Sequence, residues 1–119
     1  MNYGPAVRGE KFAVAAGAAS EVVRLGAGGA AITVVPVSGG TMRVFKSTSH
    51  DADIAADIAD GSLSYANLIA GTQPTKSAWM LWASGSVTVM TNEGPFESVG
   101  DTAVVAVATT QPGRLEVAR

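Results

Sequence analysis

The chain has 119 residues, no cysteine, one histidine and a formal net charge of −2. That length fits one domain, and the absence of thiols excludes disulfides, thiolate metal sites and cysteine catalysis. Only 15% of the residues are charged, against about 25% in an average soluble domain, and no basic face is available for nucleic acid.

Residues 1–9 hold Gly4, Pro5 and Gly9 and show no periodicity. They are a candidate for a mobile arm. They also lack the basic-then-apolar pattern of a secretory signal, and no apolar stretch in the chain approaches the length of a spanning helix. From residue 10 onward, short runs rich in Val, Ile and Thr alternate with Gly, Pro, Ser and Asn. This is the pattern of strands and turns. It predicts strands at 10–16, 20–25, 30–37, 41–47, 78–83, 86–91, 102–108 and 114–118. Two hairpins are expected, one turning at Ser38-Gly39-Gly40 and one at Ser84-Gly85, because glycine supplies the positive φ of tight turns. Pro36 marks an edge or a bulge.

The middle reads differently. His50 to Asp60 is HDADIAADIAD, with Ile54 and Ile58 spaced for one helical face. Ser49 or Asp51 would cap this helix and Gly61 would end it. A long connection follows to Ser77, anchored by Tyr65, Leu68 and Ile69 and stopped by Pro74. The expected fold is therefore a single all-β domain over 10–119. It is an antiparallel β-sandwich or jelly-roll-like barrel of about eight short strands, with one short helix and a long loop inserted at 50–77.

The chemistry-bearing residues form no catalytic pattern. Asp51, Asp53, Asp57 and Asp60 are hard oxygen ligands. An EF-hand loop would need an acid or Asn and then Gly where Ala55 and Ala56 stand. A helix would instead set Asp53, Asp57 and Asp60 on one solvated stripe. His50 lies beside Ser47, Ser49 and Asp51, too close in sequence for the base to lie between nucleophile and carboxylate. Gly26-Ala27-Gly28-Gly29 precedes a strand and has no following lysine, so it reads as a turn and not a phosphate loop. The basic residues are scattered singly. No catalytic, metal or cofactor residue is assigned, and neither nucleic acid nor membrane is expected as a partner.

Trp79-Met80-Leu81-Trp82 is apolar on both faces of a strand. Such a run is either covered on both sides or has one face in an interface. With so little charge on the surface, subunit contact is the favoured role. Tyr65, Leu68, Ile69, Trp79 and Trp82 are the interface candidates. A carbohydrate-binding module that stacks sugars on Trp79 or Trp82 is the alternative from another class.

The opening MNYGPAVRGEKFAVAAGA, the glycine-turn segments VPVSGGTMRVF and WASGSVTVMT, and the terminal strand together resemble the small β-rich virion proteins of tailed bacteriophages. The likeness is greatest to head decoration, or cement, proteins. It is one of overall style and transfers no residue roles. It implies a non-enzymatic structural subunit, made in the cytoplasm of a bacterial host and located in the virion. Such a subunit forms a small homo-oligomer, such as a trimer, against major capsid or other virion proteins. A tail, neck or fibre component is the nearest variant of that reading.

Overall fold

A computed structural model describes residues 9–26 and 28–119. The arm expected at 1–9 lies outside the described residues apart from Gly9, which opens the first strand. The elements in chain order are β1 (Gly9–Val14), β2 (Ala18–Ala19), β3 (Val23–Arg24), β4 (Ala31–Pro36), β5 (Met42–Ser47), α1 (Asp51–Asp60), α2 (Tyr65–Ala70), β6 (Met80–Leu81), β7 (Thr91–Glu93), a 3₁₀ turn (Pro95–Ser98), β8 (Ala103–Ala108) and β9 (Gly113–Ala118). Of the second expected strand, 20–25, only β3 forms, and β2 lies just ahead of that range. Both pair with β8, in registers that differ by one residue, so they act as one strand broken by a bulge. Ser20 fills the break, where its hydroxyl accepts from the Ala106 N–H.

The strands form two antiparallel sheets. One has the order β1-β9-β4-β7; the other runs β2-β8-β5-β6, with β3 also on β8. Five of these pairings are nested. Gly9 faces Ala118, Ala18 faces Ala108, Val23 faces Val104, Ile32 faces Glu93 and Phe45 faces Leu81. Every such pair is centred at about residue 63. The chain is thus one long antiparallel ribbon doubled back at its midpoint. The ribbon then rolls up, which brings β9 beside β4 and β8 beside β5. The result is a two-sheet jelly roll, within the expected fold class.

Neither expected hairpin forms. β4 and β5 lie in different sheets, and the Gly39-Gly40 turn carries the chain across the sandwich; the Gly40 N–H donates to Val37 O at 2.8 Å. The segment at 86–91 is not a strand. Val87 makes an isolated bridge to Met42 of β5 and Thr91 already belongs to β7, so the chain from Met80 to Val87 follows one edge of β5 and bulges near Ser84-Gly85. It then crosses to β7 in the other sheet. Alternation shows which residues face inward but not which strand lies alongside, and a glycine turn serves a crossover as well as a hairpin.

The core has two layers. Val14, Ile32, Val34, Met42, Val44, Trp82, Val104, Ala106, Leu115 and Val117 fill the space between the sheets. The second layer covers the outer face of the β8–β5 sheet, where Phe45, Val105 and Val107 pack with Ile54 of α1, Leu68 of α2 and Trp79. All six residues of β8 are buried. This is a central strand covered on both faces, one of the two positions open to residues 79–82. Those lie instead on the edge strand β6.

The helices are the tip of the ribbon folded back onto that sheet. α1 occupies the expected place and ends at Gly61 in the left-handed conformation. Its cap is His50, whose Nδ1 accepts from the Ala52 N–H at 3.0 Å, and not Ser49 or Asp51; the Ser49 hydroxyl is taken by the Ala78 N–H. The connection expected to be a loop carries α2, capped by Ser64 and closed by Gly71.

The inner face of α1 is not the one the isoleucines suggest. Ile54 is buried, but Ile58 is 51% exposed and Asp57 is fully buried. The expected solvated stripe therefore fails at Asp57. Its carboxylate accepts from the Lys76 N–H at 3.0 Å, the Ser77 N–H at 2.6 Å and the Ser77 hydroxyl at 2.6 Å. The Ser77 Oγ in turn accepts from Trp79 Nε1 at 2.9 Å. A return loop with no strand partner needs acceptors for its N–H groups, and Asp57 supplies them. Among the described residues, no helix is long and apolar enough to cross a membrane.

Burial pushes the Asp57 carboxyl up, but the Ser77 hydroxyl and the Ser77 and Lys76 N–H groups outweigh it and hold it below the ordinary value of 3.8. Asp60 is held low by the hydroxyl and N–H of Ser62. A depressed folded-state value gives stability that is present above the unfolded value and is lost as pH falls through the folded one. Denaturant unfolding is therefore expected to show this stabilisation in full above the unfolded-state value of 3.8 and to lose it as pH falls below that value. Asp57→Asn is expected to be less stable at neutral pH and to decline less on acidification.

Candidate functional site

Burial decides the fate of the five interface candidates. Trp82 is in the core between the sheets, while Leu68 and Trp79 are in the layer under the helices. The Trp82 indole N–H donates to Gly85 O at 2.7 Å and holds the bulge. These three side chains are almost fully buried, and Trp79 meets solvent only as part of a cleft wall. Tyr65 and Ile69 are half-buried against the same layer. The two tryptophans do lie on opposite sides of the sheet, as strand alternation requires.

The exposed apolar surface lies elsewhere. Among the described residues, six of the eight exposed large hydrophobic side chains fall between positions 80 and 99: Met80, Leu81, Val89, Met90, Phe96 and Val99. Met80 is 73% exposed and Phe96 is 89% exposed. β6 and β7 are the outer strands of their sheets on the same side of the sandwich, so this segment forms the rim joining the two sheets there. The edge strands are very short, which limits open-ended pairing through the backbone. The side chains are what the rim offers.

Polar anchors fix the rim to the sandwich. The Ser98 hydroxyl accepts from the Ala30 N–H at 2.6 Å and donates to Ala30 O at 2.7 Å. Gly29 has a φ of +81°, and a Cβ there would lie 2.5 Å from Pro95 O. Its N–H donates to Gly26 O at 3.2 Å, three residues back, the bond that closes a turn. At the other end, Glu93 Oε2 accepts from both the N–H and the hydroxyl of Ser84 at 2.9 Å. With Ser98, Trp82 and Glu93 turned inward, the neighbouring Phe96, Val99 and Leu81 are left outside.

A charged cluster lies at the inner end of the rim. Lys46 is on the β5 face shared with Met42 and Val44, yet its side chain is only 15% exposed. The Nζ donates to Glu97 O at 2.7 Å and stands 3.4 Å from Asp101 Oδ2 and 3.8 Å from Glu93 Oε1. Beside it opens a cleft of about 400 Å³, lined by Lys46, Thr48, Trp79, Met80, Glu97 and Asp101 among others. Among the described residues, no group of three or more histidines and carboxylates is placed to share a metal ion. Sequence reasoning missed this cluster because Lys46 is remote in the chain from Glu93, Glu97 and Asp101. The one available signal was a lysine at an inward position of an alternating strand.

No protein-family model, curated protein or solved structure gives a significant match to the chain.

Two substitutions check this assignment of roles. Trp82→Ala should cost about 3–5 kcal/mol of unfolding free energy, as a large core deletion does, in denaturant titration of the unassembled protein. Gly29→Ala should cost about 1–3 kcal/mol, from the forced left-handed backbone and the clash with Pro95 O.

Proposed function

We propose that the chain is a non-enzymatic structural subunit that works through protein–protein contact. The specific form is a virion component, most like a head decoration or cement protein, made in the cytoplasm of a bacterial host. The observation that supports it is the rim, where large apolar side chains are held outward on a rigid frame. Large apolar side chains gathered in solvent on one stretch of a small domain mark interaction sites, and the sparse charge of the chain leaves little to oppose close approach of another subunit.

Jelly rolls build viral capsid domains but also lectins and cupins. The fold by itself does not choose among these. The burial of both indoles removes the feature that favoured sugar binding, and the rim favours assembly. Closed, cyclic self-association into a small homo-oligomer such as a trimer is the simplest arrangement. A cement protein binds the assembled lattice in preference to free subunits and stabilises it by mass action, which needs complementary surface and no catalytic pocket.

Sedimentation over a concentration series should show a discrete oligomer for the native chain. The double variant Met90→Asp/Phe96→Asp should sediment as a monomer, with a melting temperature within a few degrees of the native monomer because both side chains are already in solvent. A native chain that stays monomeric at the highest attainable concentration overturns the oligomer. A double variant that assembles normally moves the contact away from the rim.

A further inference from the structure

The Lys46 cluster has a geometry that an ordinary ion pair does not account for. The Lys46 Nζ makes one short contact, to Glu97 O at 2.7 Å. Its two carboxylate neighbours stand at 3.4 Å and 3.8 Å, beyond good hydrogen-bond length. The Glu93 side chain is 7% exposed, and its Oε1 has no hydrogen-bond partner, whereas Oε2 is held twice by Ser84. A buried carboxylate oxygen left unpaired is costly, and such atoms call for a specific explanation, reactivity among them.

We propose that Lys46 and Asp101 condense into an intramolecular amide, with Glu93 carrying the proton. Glu93 Oε1 takes one proton from the Lys46 ammonium. The free amine attacks Cγ of Asp101, and the Nζ–Cγ bond forms. One Asp101 carboxylate oxygen then leaves as water. It takes two of the three ammonium protons, one of them relayed through Glu93, which returns to its starting charge. The third proton stays on the amide nitrogen. No oxidant, metal or cofactor enters the balance.

Three observations carry the step. The Lys46 Nζ stands 3.4 Å from Asp101 Oδ2, one bond away from the carbon it attacks, and holding two reactants in contact in this way supplies much of the barrier lowering of a unimolecular step. They are also held there: the Asp101 N–H donates to Ser98 O at 2.9 Å and the Thr102 N–H to Ser47 O at 2.7 Å. Asp101 is therefore fixed just ahead of β8, alongside the strand that carries Lys46. The pair is largely withdrawn from water, with side chains 15% and 14% exposed. In that setting separated charges are poorly solvated and neutral products are favoured. The adjoining cleft gives the released water an exit, and the new amide N–H is a donor for the unpaired Glu93 oxygen.

Intact-mass spectrometry of the purified native chain tests this without any variant. The expected mass is lower than the sequence mass by one water, with the N-terminus read from the peptide map. Trypsin should fail to cleave after Lys46, and the peptide containing Lys46 should stay joined to the one containing Asp101. Lys46→Arg and Asp101→Ala should each restore their own sequence mass. Glu93→Gln keeps both reacting groups and should slow or abolish the loss of water. A native chain that retains its full sequence mass after prolonged incubation overturns the proposal, and so does a loss of water that persists in Lys46→Arg.

Discussion

Nested pairing about the chain midpoint is the constraint on which the rest of the molecule depends. Once Phe45 faces Leu81 and Gly9 faces Ala118, each strand has its partner on one side. Rolling the ribbon supplies the partner on the other. The roll places β8 next to β5 and under the helices, so AVVAVA must be apolar throughout. It also leaves β6 and β7 outermost together, and the segment between them becomes the rim. The exposed apolar side chains thus follow from topology as much as from composition.

A few polar side chains complete what the strands leave undone. Asp57, Ser98 and Glu93 are each buried, and each serves a stretch of chain that lacks a ladder partner. A hydrogen bond adds only about 1 kcal/mol net, but a buried donor without one costs more than that. These residues are therefore better regarded as conditions for the loops to be where they are than as added stability. Asp57 is the clearest case: one carboxylate engages two successive backbone N–H groups and a hydroxyl that itself receives an indole N–H.

Much of this frame was legible in the sequence. Short alternating runs located most strands, and the alanine-rich segment with its terminal glycine located α1. The fold class followed from strand number and spacing. Partnering was not legible, because Thr41 to Ser47 alternates in the same way whether its neighbour is in its own sheet or across the sandwich. The inner face of α1 was misread because hydropathy favours Ile58 over Asp57, and only the return loop reveals that a carboxylate is needed inside. The candidate contacts were misplaced for a related reason. Tryptophan is read as surface or core according to its strand's position, and β6 is an edge strand whose flanking indoles still turn inward. Phe96 gave no periodic signal, and the alternation around Met90 suggested a strand at 86–91 where the chain in fact crosses between the sheets.

The midpoint-centred ribbon also has a kinetic consequence. Its outermost pairing joins residues near opposite ends of the chain, and contacts of such long sequence separation make for slow folding. During synthesis β5 emerges early, but β8, its neighbour in the finished sheet, is among the last elements made. The most apolar strand in the protein therefore meets its partners only when the chain is nearly finished. Until then the edges of β2, β3 and β5 that it will cover stand unpaired, and unpaired strand edges of this kind pair with other chains. The topology that gives the finished domain its doubly covered strand makes the unfinished one prone to aggregation.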